Sequence, residues 1–268
     1  MLNWKLINKV YLYDGTFDGL LSIVFEAYTT RTLPQKIVSQ NNYTSNFLDK
    51  TLFIETDYEK SQRIFNGIAK NVSHNTLSNA YYAFLSNDIS KEINILKYLC
   101  DAFNTGPEIN NKITISYVFK VINLCKKSLA ECHKLKGLLR FQEIGDNLCY
   151  ASIHPDNNIL EPLGHHFINR FSSMSFIIHD QNRDICFVYN NGTYKIIDSY
   201  NIKLPKLSED EIAYQELWKL FFNTIAIRER TNRRCQMNYM PKKYWKDLIE
   251  IPWYLLILYK IFIIKFLL

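Results

Sequence analysis

Along this chain the apolar positions change their spacing at Gly137, from helical repeats before it to short alternating runs after it. Lys9–Tyr13 reads as a short strand with Asp14-Gly15 as its turn. Phe17, Leu20, Leu21, Val24, Phe25 and Tyr28 then recur at helical spacing, with Thr16 or Asp18 as N-cap. Pro34 falls in the loop that follows, and Thr51–Glu55 is a second candidate strand. Asp57 caps a helix running to Lys70, and Ser73 starts another at His74 whose Tyr81, Tyr82, Phe84 and Leu85 form an aromatic face suited to core packing. Ile89–Asn104 is an amphipathic helix stopped by Gly106-Pro107, and Ile113–Lys136 is a longer helix.

Beyond Gly137, Leu138–Gln142, Leu148–Ile153, Met174–Asp180, Ile185–Asn190 and Thr193–Ser199 read as strands. Asn190-Asn191-Gly192 is a hairpin turn, and Ile159–Phe171 is a helix between the second and third of these strands. Pro205 and the acidic run Ser208–Glu211 introduce a last helix over Glu209–Glu229. Helices, then an antiparallel meander, then a helix predict an α+β fold rather than a regular βαβ alternation. The expected organisation is one domain over residues 1–250, divisible into a mostly helical part (1–136) and a sheet-containing part (137–250). An apolar extension follows at 251–268.

Composition sharpens this only locally. With 268 residues and 47% hydrophobic side chains the chain can bury a sizeable core. Its formal net charge of +6 is mild, so charge clusters say more than the total. The abundance of Asn, Ile and Lys weakens any argument from their counts alone. The six cysteines (Cys100, Cys125, Cys132, Cys149, Cys186, Cys235) lack CxxC spacing, and no cleavable N-terminal signal is visible. Reduced thiols in a cytoplasmic protein are the expected state. Cys125, Cys132 and His133 could approach one another on a helix, but a fourth metal ligand is missing, so no metal and no cofactor is expected.

The densest charge lies in Arg228–Trp245, RERTNRRCQMNYMPKKYW, where four arginines fall within seven residues. Arg228, Arg230, Arg233, Arg234, Lys242 and Lys243 are candidate phosphate contacts, with Lys246 just beyond them. Guanidinium groups bind phosphate oxygens in pairs, and rings stack on bases. Tyr239, Tyr244 and Trp245 are the candidate rings. Lys134, Lys136 and Arg140 would extend the track, although cations near a helix C-terminus are also ordinary partners of its dipole. Weak acid–base candidates are His154, Asp156, His165, His166, His179 and Asp180, each with an alternative role in a turn or cap. There is no Walker loop, GxGxxG, HExxH or zinc-deaminase signature.

Four segments together resemble a bacterial family described as "probable DNA metabolism protein". They are YLYDGTFDGLLSIVFEAY (Tyr11–Tyr28), HKLKGLLRF (His133–Phe141), YASIHPDNNILEPLGHHFINRF (Tyr150–Phe171) and RERTNRRCQMNYMPKKYW. The resemblance runs from Tyr11 to Glu250. It implies a setting in DNA repair or modification, DNA as partner, and a neighbouring radical-SAM protein as the companion enzyme. Related domains are fused to uracil-DNA-glycosylase-like domains. The resemblance supplies no catalytic residues, and glycosylase-like activity is not expected. The chain lacks the GQDPYH-type loop of uracil-DNA glycosylases, a helix-hairpin-helix signature and a CxxxCxxC cluster motif.

The tail departs from that family's pattern. Ile251–Leu268, IPWYLLILYKIFIIKFLL, carries only Lys260 and Lys265 as charges. As a helix it would be about 27 Å long, barely the hydrocarbon thickness of a bilayer. Two internal lysines count against spanning. An altered reading frame or strain-specific extension, a packed terminal helix and a membrane anchor are the three readings, the membrane being the least expected. Three functions follow from the sequence: a DNA-binding protein acting with a radical-SAM partner, an enzyme acting on a DNA base or sugar–phosphate bond, and a docking or membrane-tethered module without DNA contact.

Overall fold

A computed structural model describes residues 4–145, 147–200 and 207–251. The chain forms two compact units, Met1–Leu129 and Ala130–Leu268. Helices and sheets are mixed in an α+β fold with helices toward the C-terminus, as the spacing predicts.

In the first unit β1 (Lys5–Tyr13) is the central strand of a three-stranded sheet. Strands β2 (Thr32–Ser39) and β3 (Thr51–Phe53) both pair with it in parallel. Helix α1 (Phe17–Thr30) makes the β1–β2 crossover. Thr16 caps α1 by accepting from the Gly19 N–H at 2.9 Å, and Asp14 holds Thr16 and Thr56. A Cβ at position 19 would lie 2.3 Å from Asp14 Oδ1, so only glycine fits there. Strand β2 is a correction to the sequence reading, which left Pro34 in a loop. Pro34 is tolerated because β2 is an edge strand and its register to β1 shifts between Ile7 and Val10. This βαβ unit was not expected either.

Helices α2 (Tyr58–Asn71), α3 (His74–Phe84) and α4 (Lys91–Thr105) follow, and Asp57 and Ser73 cap the first two. Gly106, at φ 71°, ends α4. Leu20, Ile23, Val24, Ile68, Ile95, Leu96 and Leu99 are fully buried in the core of this unit. Helix α5 (Ser116–Leu138) contains the boundary between the units.

In the second unit five strands order as β4-β5-β6-β7-β8. They are β4 (Gln142–Glu143), β5 (Leu148–Ile153), β6 (Ser175–Asp180), β7 (Ile185–Asn190) and β8 (Thr193–Asp198). The sheet is antiparallel except between β5 and β6, which run parallel across helix α6 (Leu160–Arg170). The predicted hairpin turn joins β7 to β8, with Asn191 at φ 46° and Gly192 at φ 83°. Ala151, Ile153, Phe176, Ile178 and Phe187 on one sheet face share a core with Leu163 and Phe167 of α6 and Leu135 of α5.

The last predicted helix ends at Ile225, four residues short of Glu229. Helix α7 (Glu209–Ile225) is followed by a 3-10 turn (Arg228–Arg230), helix α8 (Arg233–Tyr239) and a second 3-10 turn (Lys242–Asp247). Asn232 caps α8, its side chain accepting from the Cys235 N–H. Of the apolar extension, residues 252–268 lie outside the described residues, as does Pro205. Among the described residues no helix is long and apolar enough to cross a membrane.

Candidate functional site

The parallel pairing of β5 and β6 places their C-terminal ends side by side, with Ser152 opposite His179. Side chains alternate along a strand, so Tyr150, Ser152 and His154 project from the same face as His179 and Gln181. The other face carries the apolar core. Ligands of open α/β sheets bind beyond the carboxyl ends of parallel strands, which makes this edge the natural place to look.

Asp247, at the end of the second 3-10 turn, reaches this face. His154 Nδ1 lies 2.9 and 3.0 Å from its two carboxylate oxygens, and the Ser152 hydroxyl donates to Oδ1 at 3.1 Å. A carboxylate only accepts, so Nδ1 carries a proton, and the tautomer that fits this contact has its lone pair on Nε2. His154 and Asp247 side chains are 20% and 9% exposed, so the pair is partly shielded but reachable. This arrangement can take up or deliver a proton at Nε2.

His179 is built differently. Nδ1 lies 3.0 Å from Gln181 Nε2 and 2.9 Å from the Tyr150 hydroxyl, and Nε2 lies 2.8 Å from the Ser199 hydroxyl. The Gln181 amide nitrogen only donates, so Nδ1 accepts and Nε2–H donates to Ser199. Burial pushes the imidazole below its usual range, and neighbouring His154 adds to this against Asp184 and Asp180. Both nitrogens are occupied, so His179 is a positioning group. Burial also pushes the Tyr150 phenol up to about 12.

A second polar cluster pins the loop after β5. Glu131 of α5 accepts from the backbone N–H of Asp156 and Asn157, the Asn157 amide, the Lys243 ammonium and the Tyr244 hydroxyl. Burial alone would raise the Glu131 carboxyl, but these donors bring it down to about 2. Lys243 also binds Asp156, and the two carboxylates raise its ammonium above the usual lysine range against the cost of burial. Asp180, fully buried, accepts from Asn182 N–H and pairs with Arg183 at 2.9 Å. Burial raises its carboxyl despite that cation. Arg183 also donates to the carbonyls of Pro155 and Asp156, so Asp180 organises the turn.

The twelve sequence-predicted binding residues therefore divide. Lys134, Arg230, Arg233, Arg234, Lys242 and Tyr239 are exposed, Tyr239 at 78%. Lys136 is half-buried, and Arg228 stands in the first 3-10 turn. Tyr244 and Trp245 are 2% and 9% exposed, so they anchor the second 3-10 turn in the core rather than offer a face to a base. The Trp245 indole N–H donates to the Met240 carbonyl at 2.8 Å. Lys243 is committed to Glu131 and Asp156. Arg140 is committed to Glu250 at 2.6 Å, with its guanidinium 5.8 Å from the Trp218 ring centre.

Of the acid–base candidates, only His154 and His179 share a face. Asp156 and Asp180 serve ion pairs, as above. His165 and His166 stand on α6 and make ring contacts, His165 edge-on to Tyr194 and His166 to Phe167. Burial, then Lys136 and Arg170, lower His166. Asp247, Ser152 and Glu131 were missed by the sequence reading. The only signal was Asp247 as the first acid after the basic run. Among the described residues no group of three or more His, Cys, Asp or Glu side chains has metal-binding geometry.

Fold and site define an α+β protein with a polar, histidine-bearing face at the carboxyl ends of β5 and β6, and with an exposed arginine-rich segment. The chain belongs to the family described as domain of unknown function DUF4130, whose model matches residues 90–250. That span runs from the start of α4 to Glu250 and includes every candidate site residue above. No curated protein and no solved structure matches the chain.

Proposed function

We propose that this protein is a nucleic-acid-binding component of DNA repair or modification that works with a radical-SAM partner. One observation carries the binding half of this reading: Arg230, Arg233, Arg234 and Tyr239 are all exposed within ten residues. The turn that follows is fastened in the core through Tyr244 and Trp245. Such a segment presents phosphate donors and one open ring without ordering a long loop on binding. The radical-SAM partner and the DNA-repair setting rest on the resemblance of the four quoted segments.

The test is binding of the full chain to fluorescent single- and double-stranded DNA across a salt series. R233A/R234A is expected to weaken binding to all sequences alike. It should also flatten the slope of log K against log salt by roughly 2. Unchanged binding by this variant would overturn the assignment.

A second reading is favoured by the His154–Asp247 pair, namely acid–base chemistry on a bound DNA base or sugar–phosphate bond. H154Q keeps a polar side chain but removes the basic nitrogen. On this reading H154Q binds DNA as the parent does and loses all turnover of it. Turnover retained in H154Q would eliminate the reading.

A further inference from the structure

Helix α7 is fastened to its own unit along one side and open to water along another. At about 100° per residue, Glu211, Trp218 and Phe222 fall within about 40° of one another. On this inner side Glu211 accepts from the Glu143 N–H at 3.0 Å, and the Trp218 indole N–H donates to Glu250 at 3.3 Å. The outer side carries Leu220, Leu217, Phe221, Tyr214 and Ile225 within an arc of about 140°. Leu217 is 59% exposed, Leu220 64%, Phe221 54%, Tyr214 67% and Ile225 60%. The same arc holds Ala213, Thr224 and Asp210. The Thr224 hydroxyl donates to the Leu220 carbonyl at 2.7 Å, so it needs no partner outside the helix. Asp210 stands at one end of the arc, four residues before Tyr214.

Area and charge together select a second copy of this chain as the cover. With about 200 Å² for a whole side chain of this size, the five apolar residues expose roughly 600 Å². Two such faces remove roughly 1,200 Å² from water, the lower limit of a specific interface. Charge then fixes the orientation. Asp210 precedes the apolar residues by four positions and Arg230 follows them by five, and both are exposed. Antiparallel packing sets Asp210 of each copy beside Arg230 of the other, whereas parallel packing sets like charges together.

We infer that the outer side of α7 is the interface of a two-fold, antiparallel dimer of this chain. The interface leaves Arg233 and Arg234 to the nucleic-acid reading and does not rest on that reading.

The experiment is analytical ultracentrifugation of the full chain, without DNA, from about 1 to about 100 µM. The parent is expected to pass reversibly from monomer to dimer, and L217D/F221D to remain monomeric. D210R and R230D should each weaken the dimer about tenfold, since each sets like charges together at both ends of the interface. D210R/R230D restores opposite charges and should return to within about threefold of the parent. All these positions are exposed, and urea unfolding of dilute protein checks that each variant keeps its fold. A parent that stays monomeric at the highest concentration would overturn the inference. Flotation of that monomer with phosphatidylcholine vesicles, lost in L217D/F221D, would assign the face to a membrane instead. A dimer unchanged by L217D/F221D would place the interface elsewhere. Failure of D210R/R230D to recover would overturn the antiparallel arrangement.

Discussion

Glu131 concentrates more structure than any other side chain of the second unit, and nothing near it in sequence reveals this. Its donors lie 25, 26, 112 and 113 residues away. A helical carboxylate among lysines reads as a solvated residue until the fold brings those donors in. E131Q removes the charge beneath Lys243 and is expected to destabilise the protein by about 3 kcal/mol at neutral pH, measured by urea unfolding. The native carboxyl titrates at about 2 against an ordinary value of 4.5. Its stabilisation is therefore complete above pH 4.5 and is lost as the pH falls toward 2. E131Q should flatten the stability curve across that window. A parallel loss in parent and variant would show that Glu131 is not the group responsible. The exposed side chains were legible from sequence, since runs such as Arg233-Arg234 need no partner. Tyr244, Trp245 and Lys243 were not, because an aromatic or a cation beside a basic run looks the same whether it packs inward or faces water.

At the scale of elements, caps and turns were legible and pairing partners were less so. Thr16, Asp57 and Ser73 cap the helices they were expected to cap, and the Asn191-Gly192 turn closes its hairpin. Local chemistry fixes such features within four residues. Strand β2 was hidden because proline normally argues against a strand, and only its edge position relieves that. The parallel β5–β6 pairing was hidden because alternation does not tell the direction of a neighbour. Close packing of α6 on β7 has one visible demand. A Cβ at Gly164 would sit 2.5 Å from the Phe187 ring. G164A is expected to cost about 1–3 kcal/mol through overpacking, read as a lower midpoint in urea with an unchanged slope. An unshifted midpoint would mean that α6 moves away without cost.

For the molecule as a whole, the question is whether its net charge or one segment attracts nucleic acid. The total of +6 is spread over both units. Lys9 and Lys50 are exposed in the first unit, and Arg233 and Arg234 in the second. K9A/K50A and R233A/R234A each remove two charges. Only the second is expected to change DNA affinity and its salt slope. Equal losses would mean that binding follows overall charge, and the arginine segment would then have no special standing. The α+β class was legible from the change of periodicity at Gly137. The polar edge formed by His154, His179, Ser152 and Asp247 was not, because it draws on three strands' worth of intervening chain.

Lys243 has one more consequence, in its reactivity toward reagents. A neutral amine is the nucleophile in acylation, and an ammonium held by two carboxylates rarely becomes one. Brief acetylation of the native protein should modify exposed Lys246 while sparing Lys243 three residues away. Unfolding of this region would erase the difference. The pair of lysines is thus a built-in label for the integrity of the turn that presents the arginine segment, readable by peptide mass alone.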